Sequence, residues 1–176
     1  IPNAGTDGSV TLCSNATPTD LFSSLGGAPM TGGTWSPALA SGTGVFNPAV
    51  DAAGTYTYTV TGTAPCGSAT AEVVVTIIQA PNAGTDGTAT FCADSTPADL
   101  FTFLGGTPQM GGTWTPALAS GTGVFNPAVD TAGTYTYTVT GTAPCANGTA
   151  SATVTVNPIP NAGTDGSVTL CSNATP

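Results

Sequence analysis

Apolar and polar residues alternate through most of this chain. The alternation is sharpest from Gly54 to Thr63, where Tyr56, Tyr58 and Val60 share one face and Thr55, Thr57, Thr59 and Thr61 share the other. A period of two marks a half-buried strand, with the aromatic and aliphatic face on a core and the threonines in solvent. The same run returns at Gly133 to Thr142, so each strand can be read twice. In the last strand, Ala71, Val73, Val75 and Ile77 become Ala150, Ala152, Val154 and Val156, and the apolar character persists. The intervening Glu72, Val74, Thr76 and Ile78 become Ser151, Thr153, Thr155 and Asn157. Positions that lose apolar character in the copy face solvent, so Ala71, Val73, Val75 and Ile77 form the core face.

Shorter strands precede these. Ser9 to Cys13 alternates with Val10 and Leu12 on one side. Thr19 to Gly27 fits either a single helical turn or a short strand: Leu21, Phe22 and Leu25 have helical spacing, Thr19 or Asp20 could cap, and Gly26 could terminate. Trp35 sits on a short strand entered by Gly32-Gly33 and stopped by Pro37, and Phe46 on another that ends at Pro48. Six or seven short strands, frequent turn signals and no long helix predict an all-β fold, an antiparallel β-sandwich.

The segment Pro2-Asn3-Ala4-Gly5-Thr6-Asp7-Gly8 recurs at Pro81 to Gly87 and at Pro160 to Gly166, each time after the same interval. A strict period, well above the length of a solenoid rung, reads as one small domain copied head to tail. The expected division is repeat 1 at 1–80, repeat 2 at 81–159 and the start of a third repeat at 160–176, a window on a longer array. Gln79-Ala80 and Pro158-Ile159 leave almost no linker, which predicts a stiff rod. At about 3.3 Å per strand residue, each module should advance it by roughly 35 to 40 Å.

Composition narrows the function. The chain has no Lys, Arg or His against nine Asp and Glu, a net charge of −9. Phosphate-backbone binding draws on counterion release by basic side chains, so nucleic acid is excluded as a partner. No polybasic tether is present, and no apolar run reaches the roughly 20 residues of a membrane span. Five cysteines resolve once the period is imposed: Cys13 and Cys66 are separated by the same interval as Cys92 and Cys145, and Cys171 repeats Cys13. Two sulfurs per repeat without His fall short of a four-ligand zinc site. The expected pattern is therefore one disulfide in each repeat, Cys13 with Cys66 and Cys92 with Cys145, and Cys171 with a partner beyond Pro176. That places the protein in an oxidising compartment, secreted or on a cell surface. No cofactor and no metal site is expected.

The succession Asn3 to Gly8, Leu12-Cys13, Asp20-Leu21-Phe22 with Leu25-Gly26-Gly27, Gly32-Gly33-Thr34-Trp35, Phe46-Asn47-Pro48, Ala53 to Val60 and Ala64-Pro65-Cys66 resembles the immunoglobulin-like or PKD-like repeats of very large surface adhesins and gliding-associated proteins of Bacteroidota-type bacteria, exported by the type IX system. The resemblance covers both full repeats and the third fragment. It implies a cell-surface stalk, adhesin or extracellular fibre. It also implies O-glycosylation at Asp followed by Ser or Thr, which here would fall on Ser95 and Thr131, in Asp94-Ser95-Thr96 and Asp130-Thr131-Ala132.

Sharper readings compete with plainer ones. An enzyme would have to work with Asp, Glu, Ser, Thr and Tyr alone, and the one Glu, Glu72, is Ser151 in the copy; no catalysis is expected. Asp7, Asp86 and Asp165 stand where calcium could stiffen a junction, yet hard cations want six or more oxygens, and Thr-Asp-Gly reads more simply as a turn. Trp35 and Trp114 are either sugar-stacking platforms or core plugs, the latter favoured. The leading function is structural, with neighbouring repeats and other copies in a fibre as partners. The alternative is a repeated carbohydrate- or surface-binding module.

Overall fold

A computed structural model describes residues 1–172. Among these residues twelve strands form two equivalent sets. The first comprises β1 (Gly8–Cys13), β2 (Thr19–Asp20), β3 (Thr34–Ser36), β4 (Val45–Phe46), β5 (Gly54–Val60) and β6 (Ala69–Ile78). The second comprises β7 (Gly87–Cys92), β8 (Ala98–Asp99), β9 (Thr113–Thr115), β10 (Val124–Phe125), β11 (Gly133–Val139) and β12 (Gly148–Asn157). In each set a four-stranded sheet, ordered β1-β6-β5-β3 or β7-β12-β11-β9, faces a two-stranded one, β2-β4 or β8-β10.

The ambiguous stretch after Pro18 resolves into both alternatives in succession. Thr19 and Asp20 pair with Phe46 and Val45, and a 3-10 turn then runs Leu21–Ser24. The Asp20 carboxylate accepts the Phe22 N–H at 3.0 Å, satisfying a donor that a short helical turn leaves without a partner. That turn aims Leu21 into the centre, where it is fully buried with Phe46 and Val73.

The facing assignment of the long strands holds. Tyr56, Tyr58 and Val60 are buried, as are Ala71, Val73 and Val75, while Glu72, Val74 and Thr76 are exposed. Each set has its own core cluster, one around Phe46 and Leu21, the other around Phe125 and Leu100.

One pairing departs from an all-antiparallel sandwich. β1 runs parallel to β6, with Gly8 beside Val73 and Cys13 beside Ile78, and β7 runs parallel to β12 in the same register. The first strand therefore ends level with the end of the last strand, at the pole from which the chain leaves for the next module. The hairpin between β5 and β6 lies at the opposite pole.

At the corner before β5, the Tyr56 hydroxyl donates to the Ala52 carbonyl four residues upstream at 2.8 Å, and Tyr135 does the same to Thr131 at 2.7 Å. Asp51 completes the corner by accepting the N–H groups of Ala40 and Asn47, both at 2.8 Å. A tyrosine tied back at the entry to this strand is a hallmark of the immunoglobulin-like sandwich.

Candidate functional site

One pair of cysteines meets where the two modules join. Strands β1 and β6 bring Cys13 and Ile78 side by side at the end of the first module. The hairpin between β11 and β12 brings Cys145 to the same place from the second. Cys13 and Cys145 form a disulfide, with their Cα atoms 5.0 Å apart and a sequence separation of 132. Cys145 Sγ also lies 3.4 Å from the Ile78 carbonyl oxygen. The connecting segment is held on both sides: Ser14 Oγ accepts the Ala80 N–H at 3.0 Å, and the hairpin approaches so closely that a Cβ at Gly148 would sit 2.7 Å from the Pro81 carbonyl oxygen.

This pairing corrects the expected one. Cys13 is not joined to Cys66, nor Cys92 to Cys145; Cys66, Cys92 and Cys171 are thiols. The reason lies in strand polarity. Cys66 precedes β6 and Cys13 lies opposite its last residue, so the ten residues of β6 hold them about 30 Å apart. A disulfide tolerates a Cα separation of about 7 Å at most. With β1 parallel to β6, the two cysteines of one repeat occupy opposite poles and each can reach only a neighbouring repeat.

The recurrent Pro-Asn-Ala-Gly-Thr-Asp-Gly segment is stitched into its own module. The Asn3 side chain accepts the Gly5 N–H at 2.9 Å and donates to the carbonyls of Gly27 and Ala28. Thr6 bridges to Gly26, and the Asp7 carboxylate accepts the Glu72 N–H at 2.8 Å. Asn82, Thr85 and Asp86 repeat this with Thr107, Gly105 and Ser151. Each aspartate thus anchors the first strand to the last. Among the described residues no three His, Cys, Asp or Glu side chains gather to hold a metal.

Trp35 and Trp114 are half-buried rather than core plugs. Trp35 packs against Tyr58 with ring centroids 5.0 Å apart, at the wall of an open cleft of about 570 Å³ lined also by Asp20, Phe22 and the Gly42–Gly44 loop. An equivalent cleft of about 460 Å³ lies beside Trp114. The centre of the core is filled instead by Phe46 and Phe125. The Trp lies on a three-residue strand at the sheet edge, where it is half-buried.

The two candidate modification positions differ. Ser95 is half-buried and its hydroxyl oxygen accepts the Cys92 N–H at 2.9 Å, while Thr131 is exposed at the tyrosine corner. Burial, and after it the negative charge of Asp51 or Asp130, pushes the Tyr56 and Tyr135 hydroxyls above the ordinary tyrosine value of 10.0. No described helix is long and apolar enough to cross a membrane.

Solved structures similar to this chain are themselves tandem arrays. The I-band fragment I67–I69 of titin is 16% identical over 87% of this chain and 64% of that one, with a TM-score of 0.44. The N-terminal four Ig domains of Dscam1 isoform 4.44 are 17% identical over 88% and 44%, at 0.36. Extracellular domains 3–5 of Drosophila OTK are 15% identical over 89% and 65%, at 0.32. The chain spans less than two thirds of each of these. No family model and no curated protein matches the sequence.

Strand order and the tyrosine corners define the class: an all-β chain of tandem immunoglobulin-like sandwiches. Within it, the distinguishing feature of this chain is a covalent tie from one sandwich to the next.

Proposed function

We propose that this chain is structural, a stretch of a stiff extracellular stalk or fibre divided into modules at 1–80 and 81–159, with 160–176 opening another. It carries load and spacing and catalyses nothing. Its setting is the one its motifs resemble, a large Bacteroidota-type surface protein exported by the type IX system. The observation that carries this reading is the Cys13–Cys145 bond, which spans the junction where a tandem array would otherwise bend. Force applied to the two ends passes from the first strand of one module into the hairpin of the next without unravelling what lies between.

Pulling the chain by its termini tests the mechanical claim. In the oxidised protein the 132-residue interval stays hidden; reduction should release roughly 450 Å of additional contour length. Equal lengths with and without reductant would end the load-bearing reading. Imaging of native material separates a thread from a globular particle, and the latter would dismiss the fibre.

The paired clefts favour a second reading, a carbohydrate-binding module. An indole wall, the Tyr58 and Phe22 rings and the Asp20 carboxylate suit a neutral, hydroxyl-rich ligand. Isothermal titration calorimetry with dextran tests it: saturable heat abolished in the double variant Trp35→Ala, Trp114→Ala supports binding, and the absence of heat with the unsubstituted chain removes it.

A further inference from the structure

The bonded pair and the unbonded pair are copies of one another. Cys92 occupies in the second module the place of Cys13 in the first, and Cys66 occupies in the first the place of Cys145 in the second. Their local structure is the same whether or not the bond is made. After each first-strand cysteine a tight turn closes, Ala16 N–H to Cys13 carbonyl and Ser95 N–H to Cys92 carbonyl, both at 2.9 Å. The hairpin turn is equally repeated, with Cys66 N–H to Thr63 carbonyl and Cys145 N–H to Thr142 carbonyl, again both at 2.9 Å. The residue after each first-strand cysteine is tied to the last strand in the same way, Ser14 to Ile78 at 2.8 Å and Ala93 to Asn157 at 2.9 Å. Two things differ: the Cys92 N–H also donates to the Ser95 hydroxyl, where the first module has Ala16, and the burial of the sulfurs is unequal. Cys13 and Cys145 are enclosed by the junction, whereas Cys66 is exposed and Cys92 half-exposed.

Resting on the tandem-array reading above, we propose that Cys92 and Cys66 are the two open halves of the same link, each built to bond a further copy of this repeat. Cys92 takes the hairpin cysteine of a following copy, and Cys66 takes the first-strand cysteine of a preceding one. The geometry that carries this is the junction already formed: shifting it along the chain by one repeat places a second hairpin against Cys92 as the first lies against Cys13. Closure is a thiol–disulfide exchange. The Cys92 thiolate attacks oxidised glutathione and expels one glutathione thiolate; the partner thiolate then attacks the mixed disulfide and expels the second. Two protein thiols are oxidised, one glutathione disulfide is reduced to two glutathione thiols, and the two protons leave with them.

The consequence is mechanical. Every junction of such an array is crossed by one bond, and alternate bonds belong to two interlaced sets. Between successive links of one set the covalent path is as short as the stretch from Cys145 to Cys171, although the links themselves stand two repeats apart. Fully drawn out, that stretch is about 90 Å, close to the roughly 70 to 80 Å that two folded modules already span at the strand rise. A linked array has almost no slack: its modules need not resist unfolding, because the chain between links is too short to let them unfold under tension.

The test completes the third copy. Residues 160–176 are identical to 2–18, so a chain extended after Pro176 by the sequence of residues 19–80 carries three whole repeats. After oxidation by oxidised glutathione, digestion with pepsin and mass mapping, Cys92 should be joined to the appended copy of Cys66, beside an intact Cys13–Cys145, with Cys66 itself still alkylated. A bond between Cys171 and the appended cysteine, or Cys92 alkylated in full, overturns the proposal. The original chain gives an independent check that needs no added sequence: in the monomer Cys66 and Cys92 should alkylate completely under native conditions, and a Cys66–Cys92 bond within one chain would overturn it. Failure of the peptide map with the reduction-dependent lengthening intact defeats this inference alone; loss of the lengthening defeats the load-bearing reading.

Discussion

The segments 2–13 and 160–171 are one sequence in two settings. In the first setting Gly8–Cys13 is a strand in parallel register with Val73–Ile78, Val10 and Leu12 pack against the core, and Cys13 is bonded. In the second there is no strand, and Val168 and Leu170 are 80% and 71% exposed. The asparagine turn survives unchanged: Asn161 accepts the Gly163 N–H at 2.7 Å as Asn3 accepts that of Gly5 at 2.9 Å, and both glycines keep a positive φ, 81° and 87°. That turn is thus written locally, whereas the strand exists only where β6 offers an edge. The same contrast explains why Asp7 has the Glu72 N–H to accept and is held, a contact that belongs to the pairing of the first strand with the last.

The largest difference between the two copies should come from the covalent bond. With Cys66, Cys92 and Cys171 replaced by Ser to prevent exchange, a further Cys13→Ser should cost about 5 kcal/mol in the chain-entropy picture, because the bond closes a loop of 132 residues. Guanidinium unfolding of the two variants measures it. If the loss is under about 1 kcal/mol, the bond does not hold the first copy in its state, and packing alone distinguishes it from the third.

Gly5 and Gly163 separate local from tertiary cost at one residue type. Both have left-handed backbone, but a Cβ on Gly5 would strike the Gly26 carbonyl oxygen, while at Gly163 nothing lies within 4 Å. Gly5→Ala should destabilise the first module by about 3 kcal/mol. Gly163→Ala should leave the unfolding midpoint within about 0.5 kcal/mol of the parent, since its strain is confined to an unpacked segment. Equal effects at both sites would mean that the segment after Pro160 is part of the cooperative fold.

How much of this was legible in the sequence follows the same division. The alternation at Tyr56, Tyr58 and Val60 and the copy-to-copy comparison of Ala71, Val73 and Val75 placed the core faces of the long strands, because burial acts residue by residue on a period of two; at the strand end the distinction fades, and Ile77 and Ile78 are both half-buried. The disulfide was not legible. The spacing between Cys13 and Cys66 is equally consistent with a bond inside a repeat, which needs a first strand that runs toward the β5–β6 hairpin, whereas β1 runs away from it. Polarity is a property of how the chain enters the sheet, and neither side-chain pattern nor cysteine spacing encodes it. Trp35 was misplaced for a related reason: a short edge strand and a central one look alike in three residues.

Side-chain burial in the first strand gives a smaller, more finely graded contrast. Leu12 is half-buried against the first core cluster, so Leu12→Ala should cost about 2 kcal/mol, the lower end for a leucine truncation. Leu170→Ala should be silent within about 0.5 kcal/mol. A measurable cost at Leu170 in the isolated chain would show that it has found an edge to pair with.

Alkaline pH offers the gentlest probe, since it acts on the packed modules and not on the segment after Pro160, which has no tyrosine. The Tyr56 and Tyr135 hydroxyls are raised above 10.0, first by burial and then by Asp51 and Asp130 respectively. An unfolded tyrosine ionises near pH 10, so below about pH 9 both states hold the proton and this contribution is fully present. As the pH climbs past 10 the unfolded chain ionises first, and stability falls until the folded hydroxyls titrate as well. In the background lacking Cys66, Cys92 and Cys171, the denaturation midpoint should therefore decline between about pH 9 and 11. Tyr56→Phe should remove the part of that decline owed to the first module, at the cost of the hydrogen bond to Ala52. Asp51→Asn should shrink that part without removing it, because burial is the larger cause. A midpoint that stays level across this range would mean that the corner hydroxyls are already open to water.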